Sequence, residues 1–203
     1  MIPHRIFDTI TNYRVNRIAD RLAGFVEPGE TILDCGCGSM RIAEMLQERC
    51  GARVFGTDVI RLNQTHPNFC LCSGENLAFG DKCFDSVLLI FTLHHMRNPA
   101  DALKESLRVT RRRLIVLEDV HRSPLDFRIL KILDWYGNLL ISKEMSFPFN
   151  FKTETEWKEI FDGLGTNLIA AESIRPTPWR PSRHRVFVLD KKNTRPPSLI
   201  SRT

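Results

Sequence analysis

Apolar residues along this chain switch repeatedly between helical spacing and short continuous runs. Ile10, Tyr13, Val15, Ile18, Leu22 and Phe25 recur at mainly helical intervals, predicting a helix over 8–26 that Pro28-Gly29 stops. Thr31 to Cys35 reads as a short buried strand, Gly36 to Ser39 as a turn, and 40–50 as a helix. Arg53 to Thr57 and Phe69 to Cys72 are two further strands. The clearest strand is Asp85 to Phe91, nearly unbroken in apolar residues and so suited to a sheet covered on both faces. Asn98-Pro99 opens a helix through Thr110, and Leu114 to Glu118 form a fifth strand. Ser123-Pro124 starts a helix reaching about Ile141, with Ser as cap and Pro at the first helical position. A last helix covers roughly 154–164. Asn167 to Ile174 and Arg185 to Leu189 are closing strands with no helix between them.

Strands alternating with helices predict a Rossmann-like, doubly wound α/β fold with a mostly parallel seven-stranded sheet. The helix-free ending predicts that the last strand is antiparallel. No repeat or composition break divides the chain, so 1–190 is expected to be one domain, with 120–150 a helical insertion or lid. Residues 191–203, carrying Pro196-Pro197, read as a flexible tail.

The 203 residues are 42% hydrophobic and 26% charged, the balance of an ordinary globular domain. No uncharged apolar run approaches the roughly 18–20 residues of a membrane span, and Arg5, Asp8, Arg14 and Arg17 interrupt the N-terminus, so a cytoplasmic location is expected. In that setting the six cysteines are expected to be thiols. The pairs Cys35/Cys37 and Cys70/Cys72 are too closely spaced for the usual structural zinc motif, and no metal is expected. A net charge of +5 favours anionic partners without choosing among them.

In open α/β sheets ligands bind beyond the carboxyl ends of the strands, so the turn after the first strand matters most. It reads Asp34-Cys35-Gly36-Cys37-Gly38. Glycines there let a backbone approach a ligand, and the next helix would offer amides and a positive dipole end. A nicotinamide fingerprint would place a third glycine at Arg41, and Asp34 would repel a pyrophosphate but suit a cationic or amine-bearing ligand. Asp58, ending the second strand, can accept from a ribose diol or cap a helix.

The ordered series Ile32 to Gly38, Gly56-Thr57-Asp58, Glu75 to Phe79, Phe84 to Val87 and Leu93-His94-His95-Met96 resembles the class I S-adenosylmethionine-dependent methyltransferases. The likeness is to the type 11 group, and within it to the small-molecule branch with the ubiquinone/menaquinone methyltransferases. It implies S-adenosyl-L-methionine as cofactor. Asp34, Gly36 and Gly38 would line its methionine end, Asp58 its ribose and Val59 its adenine. Gly74 and Glu75 would edge the adenine, and Ile90 and Phe91 would close the site near the sulfonium. The chain departs from the family at Met40, at Ser73, at Ala78 and at Arg111-Arg112-Arg113.

Methyl transfer needs a base only when the acceptor must lose a proton. His94, His95, Glu118, Asp119 and His121 lie at strand ends. His95 reads as a packing and hydrogen-bonding residue and His121 as the freer catalytic candidate. There is no Asn/Asp-Pro-Pro-aromatic motif after the fourth strand and no Pro-Cys pair, so no strong nucleic-acid signal appears. Over 124–141, Leu125, Ile129, Ile132, Leu133, Tyr136, Leu139 and Leu140 share one helical face, while Trp135 sits on the polar side. The helix reads either as core-packed or as a lid or membrane-surface element. Trp179, Arg180 and Arg183, in a proline-stiffened connection, and Trp135 are candidate contacts to a small, lipophilic or anionic acceptor. A non-catalytic module that binds a cofactor or partner through the same fold is the alternative.

Overall fold

The computed structural model describes residues 4–62, 66–139, 148–174 and 184–191. Helix α1 (His4–Ala23) leads into β1 (Thr31–Cys35), α2 (Arg41–Cys50), β2 (Arg53–Asp58), β3 (Phe69–Leu71) and β4 (Phe84–Ile90). A single 3₁₀ turn (Leu93–His95) precedes α3 (Pro99–Val109), β5 (Thr110–Asp119), α4 (Pro124–Leu139), α5 (Glu154–Gly163), β6 (Thr166–Ile174) and β7 (His184–Lys191). The strands form one seven-stranded sheet in the order β3-β2-β1-β4-β5-β7-β6.

Strands β1 to β5 pair in parallel, whereas β7 is antiparallel to both β5 and β6. The last strand in sequence is therefore antiparallel as expected, but it is inserted inside the sheet rather than set at its border. Composition explains the exchange. Val186 to Leu189 are all buried, whereas β6 carries exposed Leu168 and Ile169 together with Asn167 and Glu172. The strand that can be covered on both faces goes inside, and the interrupted one takes the edge.

The two faces of the sheet have separate cores. Val87 and Leu89 of β4 point to the side of Leu103, Trp157 and Phe161, while Leu88 and Ile90 point to the side of Ile18, Leu22 and Leu46. Asn98 and Pro99 start α3, and the Ser123 hydroxyl accepts from the Asp126 amide at the start of α4. Strand β5 begins earlier than the apolar pattern indicated. Arg111, Arg112 and Arg113 extend it, pairing with Asp85, with Glu27 and Glu30, and with Glu27, respectively. That basic run is thus spent at the amino end of the sheet, opposite the strand ends where the glycine turn lies.

Helix α4 differs most from its helical-wheel reading. Leu125, Ile129, Ile132, Leu133 and Tyr136 are exposed, and the packed side is Leu130 with Phe127, Lys131 and Asp134. The apolar stripe is not the core face. Asp134 is bound to His94 and His95, and this polar attachment selects the opposite side of the helix. The expected tail, from 192 onward, lies outside the described residues.

Candidate functional site

The turn after β1 is held by the end of β2. Gly36 and Cys37 both donate their amides to the Thr57 carbonyl, at 2.7 and 3.1 Å, and Gly38 donates to Asp58 Oδ2 at 2.9 Å. The amides of Gly36, Cys37 and Gly38 are therefore used within the protein. Gly36 has φ 79°, and a Cβ there would lie 2.0 Å from Thr92 Oγ1, so only glycine fits. At Gly38 (φ 53°) a Cβ would meet nothing within 4 Å, so this glycine borders open space. Met40 is fully buried with φ 61°. Gly56 makes room for it: a Cβ at Gly56 would lie 2.8 Å from the Met40 sulfur.

Asp34 is buried, and its Oδ1 has no hydrogen-bond partner among the described residues. Burial, reinforced by the charge of Asp58, pushes its carboxyl up to about 7. A buried acceptor without a donor is costly unless a ligand completes it, and an ammonium or amine donor does so. Asp58 is half-buried and held by two backbone amides, those of Gly38 and Ile60. Val59 beside it is 64% exposed, an apolar surface open to a flat ring.

Gly74 lies against Met96 and Cys35, and Glu75 accepts the Asn98 amide at 3.0 Å, tying this edge to the start of α3. Ile90 is buried at the end of β4. Phe91 follows with φ 52°, its ring under the Arg14 guanidinium at 4.9 Å and against the His184 ring at 4.8 Å. His184 in turn is bonded to Asp119. Burial opposes ionisation of Asp119, but His184, with His94 and Arg14, outweighs it and holds the carboxyl below its usual range.

Beyond β4 and β5 lies a second group. His94 is buried between two carboxylates, with Nδ1 2.6 Å from Glu118 Oε2 and Nε2 3.3 Å from Asp134 Oδ1. Its ring stacks on Phe151 at 4.5 Å. Glu118 also accepts the Leu93 amide at 2.7 Å, and His95 Nε2 stands 3.6 Å from Asp134 Oδ1. Burial disfavours an imidazolium here, but Glu118 and Asp134 overcome it and push His94 up to about 10. Sequence reasoning named His94, His95 and Glu118 but missed Asp134. The available signal was one acidic residue four positions after Leu130, the buried residue of α4.

His121 lies after β5 as expected, and a series of ring contacts runs from it through Phe127 and Phe151 to His94. Its ring is 5.1 Å from Phe127, which is 6.5 Å from Phe151. The buried His121 Nδ1 has no hydrogen-bond partner among the described residues. Trp135 is 48% exposed and borders a surface depression with Lys131, Ile132 and Phe149. Trp179, Arg180 and Arg183 lie outside the described residues. All six cysteines are thiols, and burial above all holds Cys35 and Cys37 protonated. No described helix is long and apolar enough to cross a membrane.

Residues 33–116 match the family described as a methyltransferase domain. The methyltransferase GfsG of Streptomyces halstedii is 26% identical over 167 residues, covering 75% of this chain and 59% of that protein. The ubiquinone/menaquinone biosynthesis C-methyltransferase UbiE of Stenotrophomonas maltophilia is 30% identical over 147 residues, covering 61% of this chain and 58% of that protein. The chain thus spans less than two thirds of either relative. The structure of a Burkholderia thailandensis 1,6-didemethyltoxoflavin-N1-methyltransferase, with that acceptor and S-adenosylhomocysteine bound, shares the fold. It aligns with a TM-score of 0.67 at 19% identity, over 94% of this chain and 84% of that one. The family match falls on the strands that carry the glycine turn, Asp58 and the end of β4, so this part of the chain is similar to a methyltransferase domain.

Proposed function

We propose that this protein transfers a methyl group from S-adenosyl-L-methionine to a small acceptor with apolar character. The observation that carries the reading is the pair of carboxylates around one glycine turn: Asp34, buried with an unfilled acceptor, and Asp58, fixed by two amides beside open space. Asp34 would hold the amine end of the cofactor, with Gly36 and Gly38 beside it. Asp58 would hold the ribose, with Val59, Gly74 and Glu75 along the adenine. Ile90 and Phe91 would close the reacting end. The cofactor brings a methyl carbon already activated by a positive sulfur, so what remains for the protein is placement of the acceptor.

Support for a lipophilic acceptor comes from α4, which carries exposed Leu125, Ile129, Ile132, Leu133 and Trp135 on a helix attached to the strand ends through Asp134. UbiE is named for ubiquinone and menaquinone biosynthesis, and the Burkholderia enzyme for methylating 1,6-didemethyltoxoflavin. Arg180, Arg183 and Trp179 are assigned to an anionic part of the acceptor, because arginine suits carboxylate or phosphate and tryptophan stacks on a ring. His121 is assigned the role of base where the acceptor carries a proton to be lost. The same exposed apolar face would let α4 rest on a membrane surface that holds such an acceptor. A single domain over 1–190 with 120–150 as its lid fits this use.

The test is two measurements on one preparation. Calorimetry is expected to show S-adenosylhomocysteine binding at micromolar affinity, about −8 kcal/mol. Incubation with methyl-labelled S-adenosylmethionine and a cell extract is expected to place label in the organic-extractable fraction. Absence of nucleoside binding overturns the cofactor reading. Binding without transfer to any fraction makes the chain a binding module, and label in protein or nucleic acid overturns the acceptor class.

A further inference from the structure

The group around His94 lies beside the cofactor turn yet is not required by anything assigned above. Thr92, packed against Gly36, is two residues from His94, so the segment that walls the glycine turn leads directly into the 3₁₀ turn with His94 and His95. The nitrogen and oxygen atoms that His94, His95 and Asp134 can offer lie within 4.8 Å of one another. The His94 Nε2 and His95 Nε2 distances to Asp134 Oδ1 are 3.3 and 3.6 Å. Ligand atoms of a tetrahedral zinc ion, with bonds near 2.0–2.1 Å, are about 3.3 Å apart.

We propose that His94, His95 and Asp134 bind one divalent transition-metal ion of the zinc type, leaving a fourth coordination position for an oxygen atom of the acceptor. Two imidazoles and one carboxylate favour such an ion over Mg²⁺ or Ca²⁺, which prefer all-oxygen sites. Glu118 acts from behind. It accepts the hydrogen bond from His94 Nδ1 at 2.6 Å, which leaves Nε2 as the nitrogen that gives up its proton and binds the metal. Stacking on Phe151 fixes the plane of the same ring. Two carboxylates, Glu118 and Asp134, also bring two negative charges to a buried site, which a divalent ion neutralises. Binding displaces the proton that His94 Nε2 otherwise shares with Asp134. With three protein donors the site has the composition of an open, substrate-accepting centre rather than a closed structural one. The acceptor assignment rests on the methyl-transfer reading, whereas metal binding itself does not.

The full-length chain, stripped with a chelator, is titrated with Co²⁺ and, separately, equilibrated with Zn²⁺ by dialysis. The expected result is one equivalent of either ion, with visible d–d absorption and without the near-ultraviolet band of cobalt–thiolate coordination. His95→Gln and Asp134→Asn are each expected to weaken binding at least roughly tenfold, and Glu118→Gln roughly 10–100-fold, with unchanged circular dichroism. Excess Mg²⁺ is expected not to compete. No bound metal, a thiolate band, or an affinity unchanged from the parent in His95→Gln or Asp134→Asn overturns the proposal. S-Adenosylhomocysteine binding on the same samples separates the two readings. Nucleoside binding without metal removes the metal site alone, and metal binding without nucleoside removes the methyl-transfer reading alone.

Discussion

Asp58 accepts the Gly38 amide at 2.9 Å, so the residue assigned to the ribose also locks the turn assigned to the methionine end. The two assigned anchors form one unit, 20 residues apart in sequence. Asp58→Ala removes a ribose acceptor and releases the turn together. We expect S-adenosylhomocysteine binding to weaken by about 1.5–3 kcal/mol, the range for hydrogen bonds to a charged group. Asp58→Asn keeps one carbonyl acceptor for Gly38 and is expected to lose less. Calorimetry on the three proteins checks the order.

Asp34 gives the ligand-free protein a pH dependence with a definite sign. Its carboxyl titrates at about 7 when folded and near 3.8 when unfolded. Between those values the unfolded chain releases a proton that the folded chain keeps, so stability falls as pH rises and levels off above about 7. The full loss is about 4 kcal/mol at most. In Asp34→Asn that loss is absent, so urea denaturation is expected to show the variant gaining on the parent from pH 4 to pH 7. The same variant is expected to bind S-adenosylhomocysteine more weakly. A variant that gains stability and affinity together would refute the placement of Asp34.

Gly36→Ala meets two obstacles, φ 79° and the Thr92 side chain at 2.0 Å from the new methyl group. Relief requires the wall between the glycine turn and the 3₁₀ turn to open. The expected cost is about 1–3 kcal/mol in urea denaturation, the range for overpacking. Gly38→Ala meets no atom and pays only for its backbone. Its stability loss should be smaller, with cofactor affinity reduced because the methyl group occupies the open space.

Helix α4 supplies a contrast between neighbouring residues. Leu130→Ala removes its buried side chain and is expected to cost about 2–4 kcal/mol. Trp135→Ala, at a half-exposed position, is expected to change stability by about 0.5 kcal/mol or less while altering acceptor KM. Equal destabilisation by both would show that the apolar face is covered in solution.

The parallel run of strands and the place of the glycine turn at their carboxyl ends were legible in the chain. A strand such as β4, buried on both sides, must lie inside a sheet with helices on each face, and Asp34, Gly36, Gly38 and Asp58 stand at the strand ends that such a sheet uses. These features are local, set by runs and turns of a few residues. Three others depended on partners far away in sequence. That β7 lies between β5 and β6 follows from which strand could be covered twice. That α4 turns its apolar stripe outward follows from Asp134 meeting His94, 40 residues earlier. That the amides of Gly36 and Cys37 are consumed follows from the Thr57 carbonyl arriving beside them. Periodicity reveals that a helix has two faces, but which face is held depends on the bond a polar side chain finds once the strands have brought its partner into place.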